Sequence, residues 1–129
     1  MKALCDEITR KFPEVWPLVE EFDLDSPYVV MASLVRWLNG LGPSRITPEV
    51  VDRLVEFATW CEEQPRGGAT ADDVYTILCV SFYEELFRTD VTRCLIPRFL
   101  KKDDVVLNAG YLKSWVGAEN YRLALEKYL

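Results

Sequence analysis

At 129 residues, half of them hydrophobic and 28% charged, the chain has the length of one domain and enough apolar content to bury a core, which excludes a disordered polymer. It has four cysteines, none close enough to another for a C-x-x-C pair, and no histidine, which argues against the usual zinc ligand sets and removes every Cys-His or Ser-His nucleophile pair. The net charge of −6 is uneven: residues 1–87 hold sixteen acids and seven bases, residues 88–129 five acids and eight bases, so most of the surface is expected to repel nucleic acid and to attract a basic partner.

Residues 3–12 place Leu4, Ile8 and Phe12 at helical spacing, with Asp6, Glu7, Arg10 and Lys11 facing outward, and Pro13 ends that helix. A short helix over 14–22 follows, with Pro17 in its first turn. From position 14 to 25 there are five acids and no base: Glu14, Glu20, Glu21, Asp23 and Asp25. Such a block reads first as a solvated helix end and loop, and second as a docking patch.

Ser26-Pro27 and Thr47-Pro48 each read as an N-cap followed by the first helical residue. The helix over 27–39 carries one charge, Arg36, and is expected near the core, with Gly40 as its terminator. The glycines near 40–45 lack the Lys-Ser/Thr end of a phosphate loop. The helix over 47–64 is amphipathic: Val50, Val51, Leu54, Phe57, Ala58 and Cys61 face inward, and Glu49, Asp52, Arg53, Glu56, Glu62 and Glu63 face water.

Residues 70–87 form the stretch around which the rest is organised. Thr70 reads as its N-cap, with Asp72 and Asp73 in the first turn, and beyond them only Thr76, Glu84 and Glu85 look obligately wet. A helix apolar nearly all round is wrapped by others. Glu84 and Glu85 are expected to mark the point where it reaches the surface.

Residues 88–100 begin with Thr89-Asp90 as a cap and are broken or kinked by Pro97. Arg93, Arg98, Lys101 and Lys102 make one small basic patch, too small and too poor in aromatics for nucleic acid. Asp103-Asp104 read as the cap of a helix through Asn108, residues 111–117 resist assignment, and 118–129 form a terminal helix with Tyr121, Leu125 and Tyr128 on one stripe. Trp16, Trp37 and Trp60 fall on apolar faces and read as core, whereas Trp115 reads as exposed and able to anchor a partner. Cys79 and Cys94 read as small core hydrophobes, and all four cysteines as reduced thiols. No period-two alternation marks a strand. The first residues lack the apolar region of a signal peptide, and no apolar run reaches the ~18 residues of a membrane span, so a cytoplasmic location is expected.

The sum is an all-α, single-domain bundle over 1–129, with six to seven helices around a buried central helix at about 70–87. No catalytic motif, metal site or cofactor site is found. Adjacent acids such as Asp72/Asp73, Glu62/Glu63 and Glu84/Glu85 diverge by ~100° on a helix, so acid–base chemistry would need acids from different helices to converge in one cleft.

The words Phe12-Pro13-Glu14, then residues 27–38, 50–63 and 72–87 in this order, resemble a family of small, all-helical bacterial proteins of unknown function, similar in style to the immunity proteins that accompany polymorphic and contact-dependent toxins. The resemblance spans most of residues 12–100, not the stretch after Lys101, and carries over no functional residue. It implies a binding protein. The expected function is therefore a non-catalytic, immunity-type inhibitor of a cognate toxin with a basic surface, acting as a monomer or weak homodimer without membrane or nucleic acid. The alternatives are a carboxylate-based or metal-dependent enzyme, or a helical regulatory or scaffold protein. On charge density the partner-binding residues are Glu20, Glu21, Asp23 and Asp25, with Glu62 and Glu63 as a second patch and Trp115 as the aromatic anchor.

Overall fold

The computed structural model describes residues 2–19, 26–66 and 73–128. The fold is all-α, and the described residues contain no strand. Helix α1 (Lys2–Lys11) runs into a 3-10 turn at Pro13–Leu18; α2 (Pro27–Leu41) and α3 (Pro48–Glu63) are the two long helices. Helix α4 (Val74–Leu78) continues without a break into a π turn at Cys79–Tyr83 and a 3-10 turn at Glu85–Phe87. Five short helices come after it: α5 (Asp90–Arg93), α6 (Ile96–Phe99), α7 (Lys102–Leu107), α8 (Ala109–Val116) and α9 (Ala118–Leu125).

The starts of the helices follow the cap chemistry. The Ser26 hydroxyl accepts from the Val29 amide at 3.4 Å, Thr47 from Val50 at 3.4 Å and Thr89 from Thr92 at 3.3 Å. The central helix differs from expectation. Thr70 and Asp72 lie outside the described residues, and Asp73 is the N-cap of α4, accepting from the Thr76 amide at 2.7 Å. Helix α2 runs past Gly40 to Leu41 and stops at Gly42, whose φ of +74° suits glycine. Residues 13–18 wind as a 3-10 turn with Pro17 inside it, because two prolines within five residues leave too few amides for α-helix. Lys101, not Asp103 or Asp104, stands at the N-cap of α7, and the two acids sit in its first turn, where they favour the helix dipole. The unassigned stretch at 111–117 is most of α8, which Gly117, at φ +95°, separates from α9.

One hydrophobic cluster extends from Leu4 to Ala124. Ile77, Leu78 and Phe82 of the central segment are fully buried, and α2 packs against both α4 and the π turn, as their shared lack of polar residues predicts. Phe12 meets Phe57 edge-on at 5.8 Å between ring centroids, and Phe82 meets Phe99 edge-on at 5.3 Å; such pairs contribute about 1 kcal/mol beyond their burial. Trp37 and Trp60 are half-buried against this cluster, but Trp16 is exposed. A 3-10 turn has threefold spacing, so Val15 takes the inward position and Trp16 is turned out. Cys94 is also exposed rather than core, because the chain turns at residues 94–95 between α5 and α6, where Pro97 starts a new helix.

Several charges hold the packing together. Arg53, half-way along α3, donates to the Lys11 carbonyl at 2.9 Å and to both Glu14 oxygens at 3.1 and 2.7 Å, and its guanidinium lies over the Phe12 ring at 5.3 Å. That hydrogen-bonded pairing holds the Glu14 carboxyl below its ordinary range. Glu7, expected outside, is buried and paired with Arg10. Arg93, expected in the basic patch, is only 5% exposed. It donates to the Phe87 carbonyl at 2.9 Å and to Asn120 at 2.9 Å, and pairs with Asp90, so it joins the end of the central segment to α5 and α9. The basic patch is left with Arg98, Lys101 and Lys102, all exposed.

Replacing Arg93 with alanine leaves the Phe87 carbonyl and Asn120 without this donor, and is expected to lower the unfolding free energy by about 2 kcal/mol. Lysine, without the planar fork, should restore only part of it. Urea denaturation of the three proteins reads this directly, and equal midpoints would contradict the structural role.

Candidate functional site

The π turn positions the candidate site. The Glu84 amide donates to the carbonyl of Cys79, five residues back, at 3.0 Å. One extra residue in a turn rotates the downstream side chains by ~100° relative to an unbroken α-helix. Ser81, Phe82, Tyr83 and Glu84 are consequently buried in succession. Glu84, read from sequence as a residue that must be wet, is 6% exposed.

It lines a cleft of about 180 Å3 between the π turn and helices α7 and α8. The walls are Tyr83, Phe87 and Leu100 on one side and Asp104, Asn108 and Tyr111 on the other. The Tyr111 hydroxyl donates to both Glu84 oxygens at 3.2 Å. On the other side of the π turn, the Tyr83 hydroxyl donates to Glu62 at 2.7 Å. Burial raises the Glu84 carboxyl above its ordinary range, and the Tyr111 hydrogen bond offsets this in part. Neighbouring Glu85 adds to the rise and Arg88 opposes it, but Arg88 itself is bound to Glu85 at 3.0 Å and to the Trp115 carbonyl at 3.3 Å. Arg66 lies over the Tyr75 ring at 3.5 Å. Among the described residues no cation is within ion-pair distance of Glu84.

The outer lip of the cleft is apolar. Leu107, Tyr111 and Trp115 fall at four-residue spacing along α7 and α8 and are 82%, 55% and 50% exposed. Tyr111 and Trp115 stack nearly parallel, 7° apart in plane, at 6.4 Å. Side chains four apart on one helix share a face, so Tyr111 and Trp115 form one exposed aromatic pair on α8, and Tyr111 also lines the carboxylate-bearing cleft.

Of the residues expected to bind a partner, Glu20, Glu21, Asp23 and Asp25 lie outside the described residues. Glu62 is exposed and joins the cleft through Tyr83; Trp115 joins it through Tyr111. Neither lines the cleft itself; each touches one residue that does. Glu63 does not: it edges a separate shallow depression with Glu7, Lys11 and Trp60. The sequence reading missed Glu84, Leu107 and Tyr111. A carboxylate inside an apolar run was the available signal for Glu84, but helical periodicity alone assigns it to the surface.

Other features offer less chemistry. A larger groove of about 340 Å3 beside Cys94 is walled by Ile46, Pro48, Val51 and Leu95, and has no buried titratable group. Burial pushes the Cys61 thiol up to about 12 and raises that of Cys79, so neither is a ready thiolate at neutral pH. Among the described residues no three metal-ligating side chains gather, and no helix is long and apolar enough to cross a membrane.

A carboxyl raised in the folded state adds stability below its unfolded value, and that contribution is lost as pH rises through the raised value. Glu84→Gln is therefore expected to melt at a higher temperature than the parent above neutrality, with the gap closing as the pH falls toward 4. Thermal melts across that range check this; a variant less stable than the parent at pH 8 would show that the ionised carboxylate is held by favourable contacts instead.

Comparison of the chain with family models, with curated proteins and with solved structures gives no match.

Proposed function

We propose that the chain is a non-catalytic protein-binding module, and that it serves as an immunity-type inhibitor of a cognate bacterial toxin in the cytoplasm. The observation that carries the binding reading is the exposed, stacked pair Tyr111–Trp115, whose Tyr111 lines the Glu84 cleft. Large aromatics half in solvent, next to a desolvated polar pocket, are the composition of binding hot spots. The acid excess over residues 1–87 suits a basic partner, which it would steer and bind faster at low salt. The toxin assignment rests on the family resemblance of residues 12–100. Its test is to look for a toxin-like reading frame beside the gene, express its product with the chain and follow growth and co-purification; failure of both removes the inhibitor reading.

One observation favours a second reading. Glu84 and Asp104 come from different elements and line one cleft, which is the convergence a carboxylate-based enzyme needs. The cleft is smaller than the roughly 300–1,000 Å3 of small-molecule sites, so the binding reading is preferred. Turnover of ester or glycoside substrates that disappears in both Glu84→Gln and Asp104→Asn would reverse that preference.

For the binding reading, Trp115→Ala is expected to weaken the complex about 30-fold, mainly through faster dissociation, since anchoring aromatics contribute about 2 kcal/mol or more. Charge reversal at Glu20 and Glu21 should instead slow association and weaken its salt dependence. Surface plasmon resonance at two ionic strengths separates the two effects. Unchanged dissociation of Trp115→Ala would place the interface away from α8.

A further inference from the structure

We infer that the cleft beside Glu84 receives an arginine side chain of the partner, whose guanidinium pairs with the Glu84 carboxylate between the rings of Tyr83 and Tyr111. This deepens the binding reading and rests on it.

The first argument is the carboxylate itself. It is nine-tenths buried, lines an open cleft, and has no cation near enough to pair with it among the described residues. Its two oxygens share a single neutral donor, the Tyr111 hydroxyl, at a long 3.2 Å each. A carboxylate has about four acceptor positions, so most of its capacity is unfilled. Buried charges are otherwise paired.

The second argument is the sign and shape of the walls. The lining includes a second acid, Asp104, and an amide, Asn108, and no lysine or arginine. The nearby cations are engaged elsewhere: Arg88 with Glu85 and the Trp115 carbonyl, Arg66 over Tyr75. Tyr83 and Tyr111 are among the lining residues, and an aromatic ring face attracts a cation. At about 180 Å3, the space suits one side chain rather than a metabolite. A divalent metal is a poorer match, because no third ligating side chain joins Glu84 and Asp104 among the described residues.

The third argument selects arginine over lysine. The guanidinium is planar, weakly hydrated and able to donate two parallel hydrogen bonds to one carboxylate while stacking on aromatic rings. Lysine offers a compact, strongly hydrated charge and would lose more solvation on entering an apolar-walled slot. Outside the cleft, Trp115, stacked on Tyr111, would then cover the arginine stem and exclude water from the pair.

The test uses the full chain, isotopically labelled, and two probes: N-acetyl-arginine methylamide and its neutral isostere N-acetyl-citrulline methylamide. Saturable amide shifts at Val105, Asn108, Tyr111 and Leu112 are expected with the arginine probe. The citrulline probe and the Glu84→Gln variant should each bind at least tenfold more weakly. Asp104→Asn, on an exposed turn, should lose about two- to fivefold, and less at high salt. Binding of the arginine probe should fall as pH is lowered and Glu84 is protonated; the other titratable groups there are Asp104, Cys79, Tyr83 and Tyr111 in the lining, with Glu85 and Arg88 beside Glu84. No saturable shift at these residues, equal binding of citrulline, or an unchanged Glu84→Gln variant would each overturn the arginine pocket. The two readings fail separately. Growth rescue by a Glu84→Gln protein that binds the toxin as tightly as the parent overturns the pocket and leaves the inhibitor; saturable arginine-specific binding without rescue supports the pocket and removes the inhibitor.

Discussion

The hydrogen bond from the Glu84 amide to the Cys79 carbonyl, five residues back at 3.0 Å, governs how the second half of the molecule is arranged. It inserts one residue into the helical winding and turns the downstream side chains by ~100°. With that rotation Tyr83 reaches Glu62 on α3, Glu84 faces α7 and α8, and Leu86 and Phe87 remain fully buried. An unbroken α-helix would carry Glu84 to a different side of the segment. π turns are uncommon because their geometry is less favourable than α, and they persist where neighbouring packing compensates. Here α2 packs against the turn, and the Phe82–Phe99 edge contact secures it from the other side.

The polar side chains divide into two groups with different physical roles. Arg53 and Arg93 are long cations whose hydrogen bonds go to backbone carbonyls and acceptors on other elements. They satisfy groups that would otherwise be buried without partners, so they act as struts and add little to the electrostatic surface. The same is true of the Thr92 hydroxyl, which donates to the Leu86 carbonyl at 3.0 Å, and of the Thr89 hydroxyl, which donates to Asn39 at 2.7 Å. Glu84 belongs to the second group. Its burial opposes ionisation, and its one hydrogen-bond donor is neutral. A group of this kind detracts from folding stability near neutrality, which is the pattern of residues kept for what they contact rather than for what they hold together.

Helices α7 and α8 bring the apolar and polar parts of the candidate surface together. Val105 and Leu112 anchor them in the core, while Leu107, Tyr111 and Trp115 stay outside on the adjoining face. Tyr111 belongs to both parts: its hydroxyl is bound to the carboxylate in the cleft and its ring is stacked on Trp115. A partner that covers the Tyr111–Trp115 pair would therefore desolvate Glu84 further, and would bind well only if it supplied a compensating charge.

Much of the fold was legible in the residue pattern. The cap residues Ser26, Thr47 and Thr89, each followed by helical periodicity, located the starts of α2, α3 and α5 to within a residue or two, and the near absence of polar residues over 74–87 identified the segment at the centre. These features are local: a cap needs only its next three residues, and an apolar stripe needs only a constant period. Trp115 reads as exposed because it stands beside Gly117 in a stretch without clear periodicity; it is 50% exposed, although that stretch is helix α8. The fates of Glu84, Arg93, Trp16 and Cys94 were not local. A change of winding from 3.6 residues per turn carried Glu84 and Trp16 away from the expected side, and an interruption of the helix at residues 94–95 left Cys94 exposed. Arg93 went inside because Phe87 and Asn120, from elements on either side of it in the chain, offer acceptors at 2.9 Å. Which polar groups meet is decided when distant helices cross, and a carboxylate's neighbours across a cleft leave no trace in its own stretch of sequence.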